Sequence, residues 1–136
     1  MASPAPATLN VQASGAPSPP PVAATPAASD LARQALENGT TLENAGDLPG
    51  ALQQFERWRQ IDPSATAAAD QSINRVRARM RREGTDAFTQ ARQYDALDRI
   101  EQAIPLYERA FRYLPDEDPK KQDAKNRLDA LRRDRQ

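Results

Sequence analysis

SATAAADQSINRVRARMRREGTDAFTQARQYDAL, residues 64–97, decides how the rest of the chain is read. Its apolar positions Ile73, Val76, Met80, Ala87, Ala91 and Tyr94 recur every three or four residues once Gly84 fills the gap between Met80 and Ala87. That is the period of one helix face, and it keeps its phase across the glycine. Had the chain turned at Gly84, nothing would require the two halves to share one stripe. The spacing therefore predicts one long helix over 65–97, capped by Ser64. The competing reading ends a helix after Arg81 and Arg82, with Gly84 as its cap, and starts another at Thr85.

Working outward, few residues are β-branched and almost none alternate with period two, so an all-α fold is expected. Upstream, a helix over 30–45 would turn Leu31, Ala35, Leu36 and Leu42 inward. After Gly46 and Asp47 a second opens near Pro49 and carries Leu52, Phe55, Trp58 and Ile61 to the stop at Asp62-Pro63. Downstream, a helix over 100–114 packs Ile104, Tyr107 and Phe111. Pro105 is harmless there only in the first turn, where no intrahelical donor is lost. The last helix, over 119–135, offers only Ala124, Leu128 and Leu131 on a charged surface, and reads as a solvent-facing lid.

The 136 residues suit one domain. Residues 1–29 hold seven of the twelve prolines, nine alanines and no charged side chain. Such a stretch cannot bury a core, and a disordered Pro/Ala-rich linker ahead of a folded 30–136 is expected. No segment has the about 18 consecutive apolar residues that a membrane span needs, and the N-terminus lacks the basic and apolar regions of a signal peptide.

Charge and composition exclude much. Nineteen Lys and Arg balance nineteen Asp and Glu, so no overall field draws the chain to nucleic acid or an anionic membrane. With neither Cys nor His there are no disulfides, thiolate nucleophiles or usual zinc and haem ligands, and the common general base is missing. No phosphate-binding loop, nucleophile elbow or paired-carboxylate cleft can be assembled. Catalytic residues, cofactor and metal are therefore not expected. Asp116, Glu117 and Asp118 lack the alternating ligands and glycine of a calcium loop, and negative charge ahead of a helix suits its dipole.

Sliding the sequence on itself by 52 residues matches Ala35 to Ala87, Ala51 to Ala103, Glu56 to Glu108, Arg57 to Arg109 and Pro63 to Pro115. Leu36/Phe88, Leu42/Tyr94, Glu43/Asp95, Leu52/Ile104, Phe55/Tyr107 and Ile61/Tyr113 are chemically similar. The matched positions are those a helical hairpin must bury.

Gly39, Leu42, Gly46, Ala51, Phe55 and Pro63, followed in the second copy by Ala91, Tyr94, Ala103, Tyr107, Ala110 and Pro115, resemble the tetratricopeptide repeat, a 34-residue helix hairpin. Small residues let the helices approach, the aromatic fills the adjoining gap, and proline breaks the chain before the next unit. Ala35 and Ala87 stand where a large aromatic is usual, Trp58 replaces the second-helix alanine, and the repeat is 18 residues longer than the family unit. The resemblance covers about 68 of the 136 residues in two degenerate repeats. It implies a short helical-hairpin solenoid with one long middle helix and a C-terminal capping helix.

In that family the first helices of successive units line a groove for a peptide or helix. The resemblance then places Arg33, Thr40 and Glu43 from the first copy and Thr85, Arg92 and Asp95 from the second in the groove. The Lys/Asn clamp by which some relatives hold a C-terminal carboxylate is not visible. Independently, Arg75, Arg79 and Arg82 share one helix face that could hold a phosphorylated glycan, a lipid head group or an acidic partner. A solvated face whose long stems cover apolar surface explains the same pattern. Aromatics are not interleaved with these arginines, which disfavours nucleic acid.

The expected function is a non-enzymatic scaffold or adaptor for a protein partner. The opening Met-Ala-Ser-Pro-Ala-Pro resembles the segment after the acylated cysteine of a mature bacterial lipoprotein. That implies a periplasmic component, anchored to the outer membrane only through a lipid, assisting a secretion, pilus, polysaccharide-export or envelope-signalling assembly. Two alternatives are a homo-oligomer, possible as a dimer, paired through the long helix, and a cytosolic chaperone-like module for a secretion substrate.

Overall fold

A computed structural model describes the backbone of residues 19–135 and the side chains of residues 28–135. The described residues form five α-helices and no strand: α1 (Pro19–Ala45), α2 (Leu48–Ile61), α3 (Thr66–Ala96), α4 (Ile100–Tyr113) and α5 (Pro119–Asp134). A single 3-10 turn, Pro63–Ala65, joins α2 to α3. Each helix packs chiefly on its neighbours in sequence, and no comparable packing joins α1 to α4 or α5. The result is an open stack of two helical hairpins, α1–α2 and the second half of α3 with α4, closed at one end by α5.

α1 starts at Pro19, ahead of the expected start at Asp30. Pro19, Pro20 and Pro21 occupy its first turn, where the missing N–H groups have no intrahelical acceptor, and alanines follow. The rest of the expected linker, 1–18, lies outside the described residues. Leu31, expected inward, is 46% exposed. The buried face instead runs through Ala32, Ala35 and Gly39, with Leu36 and Leu42 half-buried beside it.

α3 runs unbroken through Gly84, and Ile73, Val76, Met80, Gly84, Ala87 and Ala91 are all buried along it. The glycine is needed for space rather than for a turn. An ideal Cβ at residue 84 would lie 2.9 Å from Leu114 Cγ and 3.1 Å from Tyr113 Cβ, because α4 crosses α3 at that point. The apolar stripe of the long helix is consumed inside the chain. Pairing two copies through it would require the hairpins to open.

The caps follow local chemistry. Asp47 accepts from the Gly50 N–H at 3.1 Å with Pro49 in the first turn of α2, and Asp118 accepts from the Lys120 N–H at 2.9 Å ahead of α5. Ser64 is not the cap of α3. Its N–H and hydroxyl both donate to Asp62, which caps the 3-10 turn, while α3 starts at Thr66 behind Ala65, which supplies no side-chain cap. Pro105 lies past the first turn of α4, so the Glu101 carbonyl loses its helical donor. Both residues are exposed, where water can replace that bond.

Two apolar clusters sit on either side of the middle of α3. The first joins Leu48, Ala51, Phe55, Ile73, Val76 and Met80. The second joins Ala87, Phe88, Ala91, Ala103, Tyr107 and Ala110 with Ala124, Leu128 and Leu131 of α5. Tyr113 of α4 leaves the second hairpin and inserts into the first cluster, its hydroxyl donating to the Gly46 carbonyl at 3.4 Å.

The 52-residue repeat extends to the backbone. Asp47 N–H donates to Leu42 O and Arg99 N–H to Tyr94 O; Gly46 N–H donates to Glu43 O and Asp98 N–H to Asp95 O. Ala51 to Asp47 and Ala103 to Arg99 repeat likewise, as do Asp62 to Trp58 and Leu114 to Ala110. Gly46 and Asp98 both take positive φ, at 90° and 59°. Glycine adopts this without strain, and Asp is among the few other residues that tolerate it.

Candidate functional site

The residues expected to line a groove take separate parts. Glu43, at the end of α1, accepts from Arg75 of α3 through both oxygens, at 2.8 and 2.9 Å. Asp95, at the end of α3, accepts from Arg127 of α5 through both oxygens, at 2.6 and 2.8 Å, and from the Tyr107 hydroxyl at 2.9 Å. Glu43 corresponds to Asp95, and Arg75 to Arg127, at the same 52-residue offset. Each copy thus carries one clamp, in which a carboxylate at the end of the hairpin's first helix holds the helix that follows the hairpin. The Arg75 guanidinium also lies over Phe55, 5.9 Å from the ring centroid.

The first half of α3 therefore closes hairpin one as α5 closes hairpin two. Sequence comparison missed this because the matched window stopped at Pro63 and Pro115. The Arg75/Arg127 identity twelve residues beyond was the available signal.

The Arg75 guanidinium holds the Glu43 carboxyl below the ordinary range, against the opposing effect of partial burial. Arg127 lowers Asp95 in the same way, with the Tyr107 hydroxyl adding to it. Arg79, and then Arg109, lower Glu83. Burial, followed by the bond to Asp95, pushes Tyr107 up to about 12. For the carboxyls the folded value lies below the unfolded one, so their stabilisation is complete above the ordinary carboxylate range and is lost as pH falls through the depressed values. Tyr107 has the opposite sign. Its contribution is complete below its usual 10 and is lost as pH rises through about 12.

Of the other expected groove residues, Arg33 pairs with Asp30 at 3.1 Å on its own helix. The Thr40 hydroxyl donates to the Leu36 backbone carbonyl oxygen at 3.0 Å. Arg92 lies over the Phe88 ring, 5.8 Å from its centroid, and Thr85 borders a shallow depression with Arg81, Arg82 and Asp86. On the basic face, Arg75 is matched by Glu43 and Arg79 by Glu83, at 2.8 and 2.7 Å. Arg82 makes no ion pair among the described residues.

A different surface is the larger concavity. Where α2, α3 and the end of α4 meet, a cleft of about 570 Å³ opens over Leu52, Met80, Tyr113 and Leu114. Arg77, Arg81 and Arg112 stand on its rim, with Asp116 and Glu117 at one end. Arg77 is held by Glu56 at 3.1 Å, whereas Arg81 and Arg112 make no ion pair among the described residues. A second cleft, of about 530 Å³, lies at the open end of hairpin one. Sequence reading considered Arg81 as a possible helix end before Gly84 and could not bring Arg112 to it. No group of three or more His, Cys, Asp or Glu suited to a metal occurs among the described residues.

Comparison with known proteins gives no matching family model, no matching curated protein and no matching solved structure. The class defined by the fold is a duplicated helical hairpin with a shared long helix.

Proposed function

We propose that the chain is a non-enzymatic adaptor of the tetratricopeptide type that holds a segment of a protein partner. The cleft over α3 carries this reading: it has an apolar floor, unmatched Arg81 and Arg112 on its rim, and walls from both hairpins. Such a surface suits a short segment that pairs one or two acidic side chains with apolar anchors. It takes the place of the groove expected from the resemblance, since Glu43 and Asp95 are bound to arginines of the same chain.

Selection of a displayed peptide library on the purified chain tests the proposal. The enriched sequences are expected to combine Asp or Glu with large apolar residues, and to lose binding about tenfold or more on charge reversal of Arg81 and Arg112. Both side chains are exposed, so helicity should persist. No enrichment, or enrichment indifferent to both substitutions, contradicts it.

The uncharged, Pro/Ala-rich composition of 1–18 supports a tethered role in a bacterial envelope assembly for secretion, pili, polysaccharide export or signalling. Among the described residues no helix is long and apolar enough to cross a membrane. Recovery of the native protein wholly in the cytosolic fraction contradicts this location.

A further inference from the structure

The two ends of the hairpin stack are unequal. At the C-terminal end α5 buries Ala124, Leu128 and Leu131 against hairpin two and turns charged residues such as Asp123, Lys125 and Arg132 outward. At the other end no described residue covers hairpin one in this way. Its cleft exposes parts of Leu36, Trp58 and Ile61 beside the small residues Ala28 and Ala32. A solenoid needs a polar cap at each end, because each unit buries only the face its neighbour covers.

The internal repeat shows what this face is for. Ile61 corresponds to Tyr113, and Ala28 to Met80, at the 52-residue offset. Tyr113 of hairpin two and Met80 near the middle of α3 are the residues that pack with Leu48 and Phe55 of hairpin one. Ile61 stands where such a contact would form and belongs to neither core cluster. The open end is thus a stacking face that no described unit of the chain covers.

We propose that a second copy of this chain covers the face, giving a two-fold dimer joined through the open ends of hairpin one. A head-to-tail array is excluded by α5, whose charged outer surface offers no apolar match, so a closed pairing of like with like is the arrangement left. The rim is self-complementary in charge. Arg33 and Asp62 both border the cleft, and a two-fold axis can set each against the other on the partner copy. The small, exposed Ala28 and Ser29 allow the two α1 helices to approach.

Trp58, the single tryptophan, lies in this face and reports on its cover. Sedimentation velocity and tryptophan emission of the full chain, followed from micromolar to millimolar concentration, test the proposal. The expected result is a dimer and no larger species, with emission moving to the blue as the dimer fills. Ile61→Lys and Arg33→Glu should each weaken it about tenfold or more. Arg33 is exposed, so its substitution leaves the fold intact even if the change at Ile61 does not. A monomer with constant emission at all concentrations, larger open assemblies, or a dimer that ignores Arg33→Glu overturns it. The face would then belong to a helix of another protein. The cleft over α3 is not part of this surface, so loss of the dimer leaves peptide selection unaffected.

Discussion

Replacing Phe55 by alanine is expected to lower stability by about 3–5 kcal/mol. The ring is 1% exposed and joins Leu48, Ile73 and Val76 at the centre of the first cluster. It also fills the space left by Gly39, where an ideal Cβ would lie 2.7 Å from the ring edge. α1 and α2 approach closely because one side supplies no side chain and the other a large one. Truncation leaves a cavity that the glycine opposite cannot fill. For a domain whose total stability is of the usual 5–15 kcal/mol, the variant would be marginally folded. A urea titration followed by circular dichroism measures this, and a loss below about 1 kcal/mol would mean that Phe55 is not the centre of hairpin one.

Gly84→Leu is expected to lower stability by about 1–3 kcal/mol or more, although leucine is the better helix former by nearly 1 kcal/mol. The introduced side chain must enter space occupied by Leu114 and Tyr113, which are 2% and 7% exposed and have little room to move. Displacing Tyr113 also withdraws it from the first cluster, so damage at the α3–α4 crossing reaches hairpin one. Amide exchange should therefore quicken in α2 as well as in α4. A variant as stable as the parent would instead mark Gly84 as a break between two separate helices.

The long helix was legible because its stripe keeps phase through Gly84, and period alone distinguishes one helix from two. The reason for the glycine was not, since it depends on where Leu114 and Tyr113 arrive from α4. The start of α1 was hidden by composition: proline and alanine without charge read as a tether, whereas three prolines in a first turn are compatible with a helix. Burial at Leu31 was misplaced by one position, onto a large residue rather than the small Ala32 that sits against α2. Glu43 and Asp95 were found as corresponding polar residues. Their arginine partners lie 32 residues further on in each copy, a distance across which no local helical rule connects them. The cleft over α3 joins residues from three helices, so only packing could reveal it.

The account depends on two equivalent units, each closed by its own carboxylate–arginine clamp. Double-mutant cycles test it most directly, using Glu43→Gln with Arg75→Met, Asp95→Asn with Arg127→Met, and the crossed pair Glu43→Gln with Arg127→Met. The prediction is a coupling of about 1 kcal/mol within each clamp and additivity to within about 0.5 kcal/mol for the crossed pair. Both couplings should fade at pH values below the depressed carboxyl range, where the acids are protonated. Absence of coupling within either clamp, or equal coupling between Glu43 and Arg127, would contradict the duplicated stack.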